Sequence, residues 1–359
     1  MNTYAVYFKP LTPLASWPLG SDTLAGAVCW RIRLLGLMDD DALSHWLETQ
    51  QDQPRFAFSQ AFPVYFGPEK PIRFYPRPAH FQPTAQDYTA IKANATHDSQ
   101  KALSLALAKV AKELKKVPYV TEGAFRAITS GVVQPGDLLR KNSDPQQPLT
   151  IKAGAFCLKE EAQQLPNKLL DSEPIQHNQI DRVAGATVEG ALFYQEEWFF
   201  IKGGGLWALL RADSSDMENF IAPALRLLQD TGLGGNRSTG KGFFEITIEP
   251  FTELPEAASP RFLMTLSRYL PALDENIIIR QPVAYTLKSL RPKREQRFPR
   301  PTPGQSPAIY KEPIRVFEPG SVFSRPDGVS KTIYGRWARV TPLDHPPVYQ
   351  SGAAIMVAL

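Results

Sequence analysis

Residues 232–242 read GLGGNRSTGKG, and the segments on either side have opposite periodicities. Before the run, residues 216–230 place Phe220, Ile221, Ala224, Leu225, Leu227 and Leu228 at helical spacing, while after it residues 243–251 (FFEITIEPF) read as a strand. The order helix, glycine-rich loop, strand is therefore imposed on this part of the fold. Gly232, Gly234, Gly235, Gly240 and Gly242 predict positive φ and a close backbone approach, so that successive N–H groups converge on an anion. Arg237 and Lys241 add positive charge, and Ser238 and Thr239 add neutral donors. A helix C-cap followed by a plain turn would use the same glycines, so both readings stay open at this point.

Two familiar phosphate loops are excluded. Gly235, Gly240 and Lys241 fit most of G-x-x-x-x-G-K-[ST], but Gly242 stands where a hydroxyl must reach Mg²⁺. A P-loop also runs strand, loop, helix, the reverse of this order, and a dinucleotide fingerprint fails because no helix opens after the glycines. Catalytic signatures are equally scarce. His45, His80, His97, His177 and His345 show no metal-ligand spacing, and neither HExxH nor GxSxG occurs, so neither a metal nor a cofactor is expected. His177 is the one candidate general acid or base, and it has no partner visible in the sequence.

The chain has 359 residues, enough for two domains, with 43% hydrophobic and 21% charged residues. Two cysteines, Cys29 and Cys157, cannot form a disulfide framework or a cysteine zinc site. The start, MNTYAVYFKP, lacks the pattern of a signal peptide, and no apolar run approaches a membrane span, so a cytoplasmic protein with no membrane contact is expected. The net charge of +4 is modest but uneven: Lys288, Arg291, Lys293, Arg294, Arg297 and Arg300 stand against Glu295 alone. That run suits a polyanion, or equally a solvated linker continuing into PRPTPGQSP.

Along the chain, Tyr4, Val6 and Phe8 alternate as in a strand, and a helix follows from Ser21 or Asp22 with Leu24, Val28, Ile32 and Leu35 on one face. Ser21 and Asp22 are expected to cap it. Trp17, just before, suits either a stacking platform or the core. A second helix is predicted from Asp39–Asp41, carrying Leu43, Trp46 and Leu47. The aromatic, proline-rich stretch 54–83 suggests edge strands and loops rather than a central sheet. Residues 99–116 predict an amphipathic helix capped by Ser99, with Leu103, Leu107, Val110 and Leu114 facing inward and Lys109, Lys112 and Lys116 outward. Residues 141–181 read as polar and irregular, and 187–211 as strands with a turn at Gln195–Glu197 and a bend at Gly203–Gly205. A boundary at 252–260 divides an N-terminal domain, 1–251, from a smaller one, 261–359, in which RFLMTLSRYLP, IIIRQPVAYTL, IRVFEPGSVF and PPVYQSGAAIMVAL read as strands. Both halves are α+β.

Four motifs in fixed order resemble the RAMP superfamily of CRISPR RNA-binding proteins, and within it the fourth-subunit group of type III-A (Csm) complexes. They are Ser21-Asp22-Thr23-Leu24-Ala25-Gly26-Ala27, with alanine at the usual aromatic; His177-Asn178-Gln179-Ile180-Asp181-Arg182-Val183-Ala184-Gly185, with alanine where threonine is common; the 232–242 loop; and Phe317-Glu318-Pro319-Gly320-Ser321-Val322-Phe323 with His345-Pro346-Pro347-Val348-Tyr349. The resemblance implies two ferredoxin-like (RRM-like) domains with inserted loops. It also implies a non-catalytic subunit that holds the 5′ handle of the crRNA, docks the large polymerase-like subunit, adjoins a backbone RAMP subunit and meets target RNA only indirectly. The implied RNA contacts are Gly234, Gly235, Asn236, Arg237, Ser238, Thr239, Gly240, Lys241, His177, Asn178, Ile180, Asp181, Arg182 and Ser21. Arg237 and Lys241 would take phosphates, while Asn178, Asn236 and Ser238 could read base edges. Arg182 would take a further phosphate or be fixed by Asp181 in an ion pair. The alternatives are a metal-independent CRISPR repeat endoribonuclease of the same superfamily, the equivalent subunit of another type III subtype, and a protein-binding adaptor with a purely structural loop.

Overall fold

The computed structural model describes residues 1–93, 97–139, 147–181, 183–293, 310–326, 328, 330–341 and 347–359. The side chains of 97–101, inside a helix, are not described, so the expected Ser99 cap lies outside the described residues, as do Arg182, the 294–300 part of the basic run and His345.

The strand Asn2–Pro10 is the axis of the first sheet. It pairs antiparallel with Gly204–Ala212 on one side, Val6 opposite Ala208, and with Phe244–Pro250 on the other, Val6 opposite Ile248. Phe62–Phe66 lies beyond Gly204–Ala212. Helix Ser21–Leu34 connects the first strand to the 62–66 region, and helix Ala222–Thr231 connects Gly204–Ala212 to Phe244–Pro250. This is β-α-β-β-α-β with strand order 4-1-3-2, the ferredoxin-like arrangement. An insertion between residues 66 and 204 extends the sheet with Pro71–Pro76, Tyr119–Thr121, Ala155–Leu158 and Leu149–Lys152. A long ribbon, Leu170–Ile180 paired with Thr187–Phe200, forms a separate two-stranded sheet.

The second half repeats the order in reduced form. Phe262–Thr265 lies between Met356–Ala358 and Val322–Ser324, with Pro282–Ala284 outside the latter, and all pairs are antiparallel. Its first crossover holds the 3₁₀ turn Leu273–Glu275 and the short helix Asn276–Ile279, and among the described residues the second crossover holds no helix. Met264, Leu266, Val322 and Trp337 join the hydrophobic cluster of the first sheet, and Trp337 packs on Phe56 with ring centroids 5.4 Å apart.

Several expectations are corrected. The 54–83 stretch supplies interior strands: Phe56, Phe58, Phe62 and Phe74 are fully buried, and Pro71 and Pro76 stand at the two ends of one strand, where a missing N–H costs the ladder little. The Gln195–Glu197 turn is absent, because these residues sit within the 14-residue strand Thr187–Phe200. Of the three, Glu196 is exposed, Gln195 is half-buried and Glu197 is buried. The irregular 141–181 reading fails for the strands at 149–152, 155–158 and 170–180. Ile277–Ile279 belong to a helix instead of a strand. Val110 is exposed, since Leu107 and Leu114 alone carry the buried face at that end of the helix. Leu35, at the C-cap of the first helix, is exposed as well. The basic run begins inside the strand Leu287–Leu290, which pairs with Ile314–Phe317, and the linker reading did not anticipate this.

Candidate nucleic-acid interface

Helix Ala222–Thr231 ends at Gly232, whose φ of 71° with ψ of 165° is a combination essentially confined to glycine. Arg31, buried in the first helix, donates from Nη2 to the Gly232 carbonyl at 2.8 Å and from Nε to Thr231 Oγ1 at 3.0 Å, which fixes the start of the loop. Leu233 N–H bonds the Gly242 carbonyl at 2.7 Å and Gly242 N–H bonds Pro13 O at 2.8 Å, closing the loop at its base. A Cβ on Gly242 would lie 2.0 Å from the Leu233 carbonyl oxygen, so glycine is required there.

Between these ties, Gly234, Asn236 and Gly240 have positive φ, whereas Gly235 does not. The expectation for Gly235 is thus corrected: the left-handed position is its neighbour Asn236, a residue that tolerates it. The N–H groups of Thr239, Gly240 and Lys241 are taken by Asn236 and Arg237 carbonyls around a single 3₁₀ turn, Arg237–Thr239. Gly234 and Gly235 N–H make no backbone bond among the described residues. Gly235, Ser238, Thr239 and Gly240 are exposed, and Arg237 is half-buried.

The ribbon meets this loop. Glu197, only 1% exposed, accepts from Lys241 Nζ at 2.5 Å and lies 3.2 Å from His177 Nε2, while Gln195 Oε1 accepts from Asn236 Nδ2 at 2.7 Å. His177 stacks on Phe193 with centroids 5.3 Å apart. His177 therefore has a carboxylate neighbour, although the two atoms make no hydrogen bond, and Lys241 is an ion-paired residue rather than a cation held open for phosphate. Neither Glu197 nor Gln195 was signalled, because a strand brings them to the loop from 44 and 41 positions away. At the tip, Asn178, Ile180 and Asp181 are exposed. Asp181 Oδ1 accepts from Val183 N at 2.8 Å and Ala184 N at 3.3 Å, an Asx-type turn completed by Gly185 at φ 64°.

Ser21 and Asp22 do not cap their helix. Gly20 is the N-cap and no side chain bonds the first turn. Ser21 Oγ instead accepts from Arg268 N at 2.9 Å, and Asp22 accepts from Arg268 Nη1 at 2.7 Å and Gln350 Nε2 at 2.5 Å. Both are buried, so Ser21 stands apart from the exposed loop and tip. Burial alone would lower the Arg268 pKa, but Asp22 and Glu318 outweigh it and hold the guanidinium above its ordinary value. Trp17 packs partly buried against the core.

A groove of about 880 Å³ runs from Gly234, Gly235 and Arg237 across the first helix to Lys293 and Lys311 of the second half. One wall is the glycine-rich loop, and the other carries Lys293 and Lys311, the latter donating from Nζ to Tyr349 O at 3.3 Å and Gln350 Oε1 at 2.6 Å. Among the described residues no cluster of three or more His, Cys, Asp or Glu could hold a metal, and no helix is long and apolar enough to cross a membrane.

Known proteins resemble this chain in sequence and in fold. A segment of 93 residues is 34% identical to the CRISPR system Cms protein Csm4 of Thermococcus onnurineus (strain NA1), spanning 26% of this chain and 30% of that relative. A chain of the Csm3–Csm4 subcomplex of the type III-A CRISPR-Cas interference complex aligns over 100% of this chain and 99% of its own, with TM-score 0.62 and 15% identity. A chain of the Csm1–Csm4 cassette in complex with pppApA aligns over 100% and 98%, with TM-score 0.54 and 18% identity. These two likenesses concern the fold. The RAMP superfamily itself matches residues 16–245, which run from the loop before the first helix through the glycine-rich loop into the strand after it. With most of the chain matched and the ferredoxin-like order present in both sheets, this protein belongs to the RAMP superfamily.

Proposed function

We propose that the chain is a non-catalytic crRNA-binding subunit of a type III-A (Csm) interference complex, in which it holds the repeat-derived 5′ handle and docks the large polymerase-like subunit next to a backbone RAMP subunit. The observation that carries this reading is the groove with the glycine-rich loop as one wall and Lys293 and Lys311 near its far end. Gly234 and Gly235 offer backbone donors, Arg237 a charge, and Ser238, Thr239, Gly240 and Asn236 a surface for phosphate and base edges. The exposed tip residues Asn178, Ile180 and Asp181, with Arg182 next in sequence, would form a second contact region. Lys241 and His177 support these regions from behind, and Ser21 supports the first helix. The two ferredoxin-like units, 1–251 and 261–359, divide at 252–260, and the protein works in the cytoplasm.

The geometry favours binding over cleavage. A general acid must reach the scissile atoms, yet His177 Nε2 is turned to the buried Glu197. Incubating the purified chain with labelled CRISPR repeat RNA, with and without Mg²⁺ or Mn²⁺, is expected to give complexes that depend on the handle sequence and no new fragments. Specific cleavage that vanishes in His177→Ala would establish the endoribonuclease alternative.

A further inference from the structure

We infer that Glu197 is a positioning residue that clasps the 170–200 ribbon to the glycine-rich loop, so that tip and loop meet RNA as one surface; this rests on the RNA-binding reading above. Glu197 and Gln195 are two apart on one strand and therefore share a face. From that face they hold two separated points of the loop, Lys241 through Glu197 and Asn236 through Gln195. His177, from the other strand of the ribbon, faces the second carboxylate oxygen of Glu197. The clasp thus joins one strand of the ribbon to both sides of the loop's 3₁₀ turn, with His177 of the other strand beside it.

A two-stranded ribbon outside a larger sheet has little intrinsic rigidity. Leu192, Phe193 and Tyr194 are about half or more exposed, so packing along the ribbon does not set its direction. Its base does, through the paired backbone bonds of Leu14 and Trp198, both 2.9 Å, and through the clasp one residue away. A carboxylate as buried as Glu197 needs a hydrogen-bonded counter-charge, and Lys241 supplies it. The Lys241 charge is consequently balanced inside the protein, and Lys241 serves RNA through the shape of the loop.

The full chain tests this with Glu197→Gln and Lys241→Met, which preserve volume, and with their double variant. Each single change is expected to weaken binding of labelled CRISPR repeat RNA by about tenfold with an unchanged salt slope, and the double variant to be no weaker than either, because the pair acts as a unit. Amides of residues 239–242 should exchange faster in Glu197→Gln, although the substitution is on the ribbon. A slope reduced by about 0.7 in Lys241→Met, with affinity and loop exchange untouched in Glu197→Gln, would overturn the clasp and make Lys241 a direct phosphate ligand. Failure of the unsubstituted chain to bind repeat RNA would remove the binding reading and the shared surface with it, while the exchange measurement, which needs no RNA, would still decide whether Glu197 orders the loop.

Discussion

Asp22 Oδ1 lies 2.7 Å from Arg268 Nη1, so the first helix of the first sheet is tied to the segment that follows the first strand of the second. The Asp22 side chain is 6% exposed and that of Arg268 is 11% exposed. Gln350 and Ser21 complete the junction from either side. The groove runs across this helix, and Asp22 and Gln350 of the junction line it.

Asp22→Ala leaves the Arg268 guanidinium buried with Glu318 as its remaining carboxylate. Breaking one side of a buried pair is strongly destabilising, and with Glu318 in place the expected loss is about 2–3 kcal/mol. Urea denaturation at neutral pH measures it, and a loss below about 0.5 kcal/mol, the range of ordinary surface substitutions, would show that the junction contributes little.

The loop glycines separate by their surroundings. A Cβ on Gly240 meets nothing within 4 Å, so Gly240→Ala carries only the left-handed backbone penalty, about 1–2 kcal/mol. Gly242→Ala adds a collision with the Leu233 carbonyl and opens the Leu233–Gly242 hydrogen bond, so it should cost clearly more. Equal losses in thermal or urea melts would contradict the described closure of the loop.

Burial raises the thiols of Cys29 and Cys157 from 9.0 to about 12. The folded chain therefore keeps protons that the unfolded chain releases, and the associated stability is full below pH 9 and falls as the pH rises toward 12. Each thiol contributes a slope of about 1.4 kcal/mol per pH unit in that window. Cys29→Ala should flatten the alkaline fall, and both thiols should resist alkylation at pH 8 until the chain unfolds. Rapid labelling of the native protein would contradict the burial.

The sequence was most legible where chemistry is local. The strand at Tyr4–Phe8, the helix capped at Asp39, and the helix-loop-strand order around 232–242 all follow from spacing and glycine placement, and each is present. Long-range pairing was hidden. Ser21 and Asp22 carry the letters of a cap, but their partner is Arg268, which no local pattern announces. Glu197 looked like part of a polar turn because a ribbon outside the main sheet exposes most of its side chains, and its burial depends on Lys241 arriving from another element. The prolines of 54–83 suggested edges, whereas the aromatic residues between them provided enough buried surface to place the segment within the sheet.

The salt dependence of binding to the repeat-derived 5′ handle decides whether the groove beside the glycine-rich loop holds single-stranded RNA through Arg237 and its neighbours. The logarithm of the association constant should fall linearly with the logarithm of salt, and Arg237→Ala should weaken binding and reduce that slope by about 0.7, one lost phosphate contact on a single strand. Unchanged affinity and slope in Arg237→Ala, with the fold intact by circular dichroism, would place the RNA elsewhere and contradict the account.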